Sequence, residues 1–259
     1  MNILAFFAHP DDETMLAGGT LALLSRNSVQ VHYLCATRGE GGEVGEPPLC
    51  TLEELGAQRE QEMICAVQTL GGRSLTFLDY SDPRVGADNE LYSYTENLTY
   101  LAGQVAATIK QFGAKAVITH GVNGEYGHPA HKTSYLAASL AVESFREEAP
   151  LLYTVSAAFD GHPKPHLSNP DNPAHLVLDI QSVLDLKIQA ALCHQTQLAL
   201  FVRRASQEAG RQLAVPEVVV RVESLHRAFP PVNGLVEDEL AQVLSPWRME
   251  QQVQGGLHE

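Results

Sequence analysis

The chain is short of basic residues. In 259 residues, 17 lysines and arginines stand against 31 aspartates and glutamates, which gives a formal net charge of −14. Nucleic acids and anionic membrane surfaces attract proteins through basic surfaces that displace counterions. The charge balance therefore argues against both kinds of partner and favours a small-molecule substrate.

Long hydrophobic runs are also missing. No stretch approaches the roughly 18 consecutive apolar residues that a membrane span needs. An apolar run at 3–8 lies near the N-terminus, but it has no basic flank and is soon followed by the carboxylates Asp11 and Asp12, unlike a signal peptide. We expect a cytoplasmic protein whose first strand is this run.

Cysteine is scarce and scattered. The four cysteines, Cys35, Cys50, Cys65 and Cys193, have no C-x-x-C spacing, so the sequence suggests neither a zinc knuckle nor a disulfide framework. Buried, reduced thiols are the expectation for a cytoplasmic protein.

The first half of the chain alternates strand and helix patterns. Strand patterns at 2–8, 30–37, 74–78 and 116–120 alternate with helix patterns at 15–26, 55–70 and 97–112. Glycines at 71, 72 and 113 are suitable helix stops. This alternation predicts an α/β fold with a doubly wound, mostly parallel, Rossmann-like sheet.

The second half continues less regularly. We predict a helix at 132–147, a strand at 152–158, a proline-rich connection at 163–173 that borders the site, a helix at 182–209, and a strand at 217–223 before a polar tail. No repeat or linker divides the chain. We therefore expect a single domain over 1–259, with about 210–259 as a C-terminal extension of it.

The run from His9 to Glu13 lies just past the first strand. In an open parallel sheet, ligands bind outside the carboxyl ends of the strands. An imidazole and two carboxylates on a turn made rigid by Pro10 suggest a metal site. The alternative is that Asp11 or Asp12 merely caps the following helix, but it leaves the second aspartate, costly to bury without a cation, unexplained.

A second cluster at 127–131 follows the fourth strand, which lies beside the first in common doubly wound orders. This order brings His131 near His9 and Asp12. Two histidines and one carboxylate leave coordination positions open for water and substrate, and suit Zn²⁺ but also Fe²⁺. Taken singly, His128 or His131 is more typical of a helix start or a surface histidine.

The two clusters together resemble the LmbE-like, or PIG-L, family of N-deacetylases. The shared pattern is Ala-His-Pro-Asp-Asp-Glu at 8–13 with His-x-x-His at 128–131. Further matching positions are 37–43, Arg59, Glu62, Ala66, Leu70, Gly71, Lys187, His194 and Gln197. The resemblance thus covers about 2–197.

The resemblance implies a zinc-dependent hydrolase of linear amides. In such an enzyme His9, Asp12 and His131 would bind the metal, Asp11 would be the general base that activates water, and His128 would stabilise the oxyanion or protonate the leaving amine. These roles match the chemistry, because an amide has a weakly electrophilic carbonyl and a poor leaving group.

Substrate contacts follow from the same resemblance. Glu43 and Arg59 match an acid and an arginine that bind N-acetylglucosaminyl compounds in family members, and Tyr126 would assist the oxyanion. The alternative to substrate binding is that Arg59 is a charged, solvent-exposed side chain on a helix and that Glu43 is an ordinary polar residue of a loop. Asp82 is a weaker candidate for facing the sugar, because the alignment around it is loose.

One position departs from the family pattern. Many members have aspartate where this chain has Ala130, between Pro129 and His131. A carboxylate beside His128 would raise its pKa, so the absence of one weakens the acid role of His128 or shifts the pH optimum downward, unless Glu125 substitutes.

Three other features of the sequence have weaker functional implications. The glycine-rich stretch 39–42 lacks G-x-G-x-x-G spacing and is acidic, so a dinucleotide site is disfavoured. His120, at a strand end, is expected to be structural. By the resemblance His194 lines the cleft or supports a ligand; the alternative is that it packs in the interior.

The sequence therefore predicts a zinc deacetylase that releases acetate from an N-acetylglucosamine-type amide, in the biosynthesis of a sugar-linked thiol. An amidase of thiol-sugar conjugates is an alternative within the hydrolases, and a non-catalytic, metal-retaining binding module is one from another class. The oligomeric state is open, a homo-oligomer included.

Overall fold

The computed structural model describes residues 1–250, apart from the side chain of Asp88. Its strands are β1 Asn2–Phe7, β2 Gln30–Thr37, β3 Ser74–Tyr80, β4 Ala116–Thr119, β5 Leu151–Val155, β6 Ala157–Ala158, β7 Asn169–Pro173, β8 Leu176–Asp179 and β9 Val222–Phe229. Its helices are α1 Asp12–Arg26, α2 Leu55–Thr69, α3 Leu98–Phe112, α4 Gly124–Gly127, α5 Pro129–Glu143, α6 Leu184–Cys193, α7 Leu198–Ala209, α8 Val215–Val218 and α9 Glu239–Leu244.

Seven strands form the central sheet in the order β3-β2-β1-β4-β5-β9-β8. The first five pair in parallel, and β9 and β8 join antiparallel. Strand β1, with the sequence NILAFF, is buried on both faces, as a near-continuous apolar run in a parallel sheet should be. The predicted doubly wound, mostly parallel α/β fold is confirmed.

The strand order reverses at β1, which has β2 on one side and β4 on the other. The register pairs Phe6 with Thr119, so the residues that follow β1 and β4 leave the sheet side by side. This is the topological switch point at which open α/β sheets bind ligands. The expected neighbourhood of the first and fourth strands is confirmed.

The C-terminal part differs from the prediction. The helix expected at 182–209 is two helices, α6 and α7, because the side chain and amide of Thr196 bond the buried carboxylate of Glu62 at 2.8 and 3.0 Å and interrupt the helix. The strand expected at 217–223 begins only at Val222, since the apolar run before it lies partly in α8.

The predicted polar tail contains α9, with Asp238 as its N-cap. The C-terminal extension at about 210–259 contributes β9 to the middle of the antiparallel part of the sheet, and its boundary stays a prediction. Residues 251–259 of that extension lie outside the described residues.

A buried ion pair between α6 and β9 also holds α1 by hydrogen bonds. Lys187 Nζ lies 2.6 Å from Glu223 Oε1, and both side chains are almost wholly buried. The Glu223 carboxylate also accepts the N–H groups of Gly19 and Thr20, at 2.8 and 2.7 Å. Buried charges persist when they are paired and hydrogen-bonded in this way. The pair anchors the helix on which the site begins.

Cys65 of α2 and Cys193 of α6 form a disulfide, with Cα atoms 5.8 Å apart. The expectation of buried, reduced thiols is wrong for these two cysteines: Cys65 is exposed and its partner is 128 residues away. Packing of α2 on α6 creates the pair, which sequence spacing does not reveal. Within 1–250 no helix is long and apolar enough to cross a membrane.

Candidate active site

The turn after β1 is folded tightly. Asp11 has φ 110°, a left-handed conformation that is strained for a residue with a side chain. The turn brings the Asp12 carboxylate within 2.9 Å of the His9 N–H, which donates to it. Asp11 stands at the N-cap of α1 but makes no side-chain cap bond, so helix capping does not account for its carboxylate.

The carboxylate of Asp12 lies between two histidines. His9 Nδ1 is 3.2 Å from Oδ2, and His131 Nε2 is 3.3 Å from Oδ1. Burial alone would raise the pKa of Asp12, but His131 and His120 outweigh it and hold that pKa well below its usual value. The structure thus brings the predicted metal-binding trio together as an ionised carboxylate between two imidazoles.

His131 has one nitrogen engaged and one without a partner. Its Nδ1 lies 2.6 Å from the Glu125 carboxylate, to which it donates, and this leaves the lone pair on Nε2. That Nε2 is buried and has no hydrogen-bond partner among the described residues, although it faces Asp12. When Nε2 carries no proton, this nitrogen and the Asp12 carboxylate are two facing acceptors that a cation between them would satisfy, so the residues present fit a divalent metal with N and O ligands.

Within residues 1–250, two sets of three side chains place ligand atoms within 4.8 Å of one another; they are His9, His128, His131 and Asp12, His120, His131. Both nitrogens of His120 are engaged. Its Nε2 accepts the Ala8 N–H at 3.0 Å, and its Nδ1 lies 3.0 Å from Glu125. Because a backbone N–H uses the Nε2 lone pair, this bonding favours a positioning role for His120 over metal ligation.

His128 is the N-cap of α5. Its Nδ1 accepts the Ala130 N–H at 3.2 Å, which places the ring proton on Nε2. Burial, together with His131 and His9, lowers the pKa of His128 to about 3. Glu125 bonds His120 and His131 instead, so it does not act as the carboxylate partner that Ala130 removes from His128.

Arg59 reaches the site from α2. Its guanidinium donates to Asp11 Oδ2 at 3.1 Å and to the Gly39 carbonyl at 2.8 Å, and also bonds the Pro10 carbonyl. The residue is 3% exposed, so it is not a solvated helix charge. Burial raises the pKa of Asp11 to about 6, and Arg59 opposes that rise.

A cavity of about 300 Å³ opens over these groups. Seven of the predicted site residues line it: His9, Asp11, Asp12, Glu43, Arg59, Tyr126 and His128. The eighth, His131, lines a larger adjoining cavity. The side chains predicted from distant parts of the chain therefore surround one continuous space.

The polar lining of this cavity includes two carboxylates beyond the turn. Asp82, a weak candidate in the sequence, lies 3.2 Å from His9 Nε2. The Arg203 guanidinium donates to both carboxylate oxygens of Glu43, at 2.6 and 2.7 Å. Glu43 therefore forms a specific ion pair and is not simply a polar loop residue. Tyr126 is 54% exposed and its ring centre lies 5.6 Å from that of His128.

Residues 4–142 match the family described as PIG-L, GlcNAc-PI de-N-acetylase. The chain belongs to the PIG-L family. It is 28% identical over 264 residues to a 1D-myo-inositol 2-acetamido-2-deoxy-alpha-D-glucopyranoside deacetylase of Rhodococcus jostii, which covers 83% of this chain and 87% of the relative. It is 30% identical over 202 residues to a probable N-acetyl-alpha-D-glucosaminyl L-malate deacetylase 2 of Bacillus cereus, covering 76% and 83%.

Solved structures share the fold of this PIG-L protein. N,N'-diacetylchitobiose deacetylase of Pyrococcus horikoshii has a TM-score of 0.60 at 18% identity, covering 87% of this chain and 82% of that one. The 4-carboxy-2-hydroxymuconate hydratase of Pseudomonas putida also has a TM-score of 0.60, at 22% identity and 91% and 99% coverage. A deacetylase and a hydratase share this fold, so the site must decide the reaction.

In this PIG-L protein, Asn169 of β7 supports the site, a role that the sequence analysis did not predict. It is fully buried; its Oδ1 accepts the N–H groups of Asn123 and Glu125, and its Nδ2 donates to Glu125 Oε1 at 3.1 Å. Asn169 therefore holds Glu125, which has φ 57°, and through it His131. The sequence pointed to this residue only through the prediction that the segment 163–173 borders the site.

His194 supports the site from below. It is fully buried, and its Nε2 lies 3.0 Å from Glu13 Oε1 and 3.3 Å from Thr14 Oγ1. It lines neither of the two cavities that the described residues form over the site. His194 is therefore a buried residue that does not line the cleft and that contacts the turn of Asp11 through Glu13, whose Oε2 accepts the Asp11 N–H at 3.0 Å.

Proposed function

We propose that this protein is a metal-dependent N-deacetylase that hydrolyses the acetamide of an N-acetylglucosamine-type substrate. One observation carries the proposal: the partnerless Nε2 of His131 faces the Asp12 carboxylate in the same cavity as Asp11. The names of the relatives, which are deacetylases of N-acetylglucosaminyl-inositol and N-acetylglucosaminyl-malate compounds, support the substrate class. A cytoplasmic location is part of the same proposal.

His9, Asp12 and His131 would hold the metal, with Zn²⁺ preferred and Fe²⁺ compatible with the same donors. When bound, such an ion polarises the amide carbonyl and lowers the pKa of water. His120 and Glu125 would position His131 from behind, because histidine ligands are oriented by a hydrogen bond at their other nitrogen.

Asp11 is placed to act as the general base. Arg59 holds its Oδ2, and the carboxylate lines the cavity, so it is oriented to accept the proton of the attacking water. The same proton is then available to the leaving amine. This shuttle compensates for the lack of a carboxylate partner at His128.

His128 and Tyr126 would stabilise the oxyanion. The tautomer of His128 carries its proton on Nε2, so the neutral ring donates a hydrogen bond to the carbonyl oxygen as negative charge develops there. A neutral imidazole suits this role, whereas the amine-protonating role needs an imidazolium, which burial of His128 disfavours.

The sugar would occupy the cavity of about 300 Å³, which lies near the lower end of ligand-pocket sizes, roughly 300–1,000 Å³. Asp82 and Glu43 present carboxylate oxygens, the natural acceptors for sugar hydroxyls. Arg59 would act mainly through Asp11, because its guanidinium is largely used by that carboxylate and two backbone carbonyls.

The test begins with the metal. The purified protein is analysed for bound metal, stripped with a chelator and reloaded with Zn²⁺ or Fe²⁺, and amine and acetate release are measured on N-acetylglucosamine and its conjugates. We expect activity that disappears on stripping and returns on reloading. Stoichiometric metal with no hydrolysis of any amide would favour the metal-retaining binding module instead.

A further inference from the structure

A second, larger cavity of about 820 Å³ adjoins the proposed sugar cavity. The two cavities share Asp11, Asp12, Tyr126 and Leu200 as lining residues. The larger one extends between the segment 163–167 and the helices α7 and α8. An amide bond held at Asp11 and Asp12 would therefore have a space on each side of it.

The walls of the larger cavity are mainly apolar. The apolar side chains include Met15, Leu16, Leu167, Phe201 and Val218. An N-acetyl group is far smaller than this space, and the sugar cavity already accounts for a polar ring. Burial of further apolar substrate surface here would add binding free energy in proportion to the area removed from water.

One side of the larger cavity carries two basic side chains, Lys164 and Arg204, with the imidazole of His166 beside them. Arg204 is paired with Glu208 at 2.9 Å, whereas the ammonium of Lys164 makes no hydrogen bond or ion pair with any residue of 1–250. Burial, with Lys187 nearby, lowers the pKa of Lys164 to about 8.

The two glutamates that line the cavity are neutralised within the protein. Glu217 is paired with Arg211 at 2.7 Å, and Glu208 is the partner of Arg204. Among the residues of 1–250 that line this cavity, Lys164 thus carries an ammonium without a counter-charge, in a chain whose net charge is −14. An anionic group on a ligand would supply the missing partner in a charge-assisted hydrogen bond.

We infer that the larger cavity is a second subsite, which binds an apolar extension of the substrate that carries one negative charge, with Lys164 as the partner of that charge. The inference rests on the proposed function and specifies its substrate as an N-acetyl or larger N-acyl amino sugar with an anionic, apolar extension. The extension is attached either through the glycosidic bond or through the acyl group.

Two substrate pairs distinguish these attachments. The glycosidic pair is the 4-carboxyphenyl and 4-methylphenyl glycosides of N-acetylglucosamine, and the acyl pair is N-adipoyl- and N-hexanoylglucosamine. Within one pair, we expect the carboxylate to be preferred roughly tenfold in kcat/KM, the gain typical of one charged hydrogen bond. The pair that shows the preference identifies the attached side.

Three variants connect the preference to Lys164. Lys164→Met should abolish the preference within the responding pair, and Lys164→Arg should retain it. Lys110→Met is the matched control, because Lys110 is exposed on α3 and lies outside both cavities. It should leave both the preference and the turnover of N-acetylglucosamine unchanged. N-acetylglucosamine turnover without a carboxylate preference in either pair would overturn the subsite and leave the proposed function standing.

A binding measurement tests the subsite without turnover. Fluorescence titration compares 8-anilinonaphthalene-1-sulfonate, an apolar anion, with the neutral N-phenyl-1-naphthylamine. Lys164→Met should weaken binding of the anion roughly tenfold relative to the neutral dye. That result without hydrolysis of any amide would refute the proposed function but support the subsite, whereas equal effects on both dyes would refute the subsite.

Discussion

Glu125 Oε2 lies 2.6 Å from His131 Nδ1, and the two side chains are buried. The contact fixes the ring proton of His131 on Nδ1 and presents the Nε2 lone pair to Asp12. The chain thus places a carboxylate behind His131, whereas the Nδ1 of His128 bonds the N–H of Ala130.

Glu125→Gln should weaken metal binding about 10- to 100-fold, because the amide is a poorer acceptor for the His131 N–H and lowers the basicity of that ligand. Competition with a chromophoric chelator measures the affinity. Glu143→Gln, an exposed change at the end of α5, is the control and should leave the affinity unchanged. Equal affinities in the two variants would show that the contact does not support the metal.

Asp11→Asn should keep stoichiometric metal and lose about 10²- to 10⁴-fold in kcat, because the amide cannot accept the proton of water. His131→Ala should instead lose the metal, since it removes a ligand. Metal content and amine release are measured on the same preparations. Wild-type turnover in Asp11→Asn would remove the general-base assignment, and full metal content in His131→Ala would remove that ligand.

Asn169→Ala should lower the free energy of unfolding by about 1–3 kcal/mol, because it leaves the buried N–H groups of Asn123 and Glu125 without an acceptor. It should also weaken metal binding, since Glu125 loses a donor to its carboxylate. Asn97→Ala is the control: it removes the exposed N-cap of α3 and costs about 1 kcal/mol without changing metal affinity. Equal metal affinity in both variants would assign Asn169 a purely structural role.

The pair of Glu43 and Arg203 should stabilise the protein in a pH-dependent way. The hydrogen bonds from Arg203 lower the pKa of Glu43, and burial opposes them only in part. A carboxyl whose pKa is lower when folded stabilises the fold above its unfolded pKa, about 4.3, and loses this effect as the pH falls through the folded pKa. The Glu43 side chain is 36% exposed, so solvent limits the effect to less than about 1 kcal/mol.

Arg203→Gln should therefore lower the free energy of unfolding slightly at pH 7 and by less at pH 3, as measured by urea unfolding. Arg73→Gln changes an exposed arginine whose side chain has no hydrogen bond or ion pair within 1–250, and it controls for the loss of charge. A pH dependence that is the same in both variants would contradict a stabilising role for the pair.

Much of the fold was predictable because it depends on local pattern. The strand predicted at 30–37 coincides with β2 Gln30–Thr37, and the strand order beside β1 follows from general rules for parallel sheets. The helix predicted at 182–209 failed because its interruption depends on Glu62, more than a hundred residues earlier. The hydrophobic periodicity of one segment cannot predict a hydrogen bond that a distant segment makes to it.

The sequence alone determined the chemical identity of the site: a histidine and two aspartates directly after the first strand, and two histidines after the fourth. Chain connectivity and strand order suffice to bring such groups together, because parallel strands end at one edge of the sheet. Only the tertiary structure decided what each nitrogen and carboxylate faces. It assigned Glu125 to His131, Arg59 to Asp11 and Cys65 to Cys193, and it opened the cavity beside Lys164. These relations depend on packing between distant segments, where a shift of a few ångströms makes or breaks a contact.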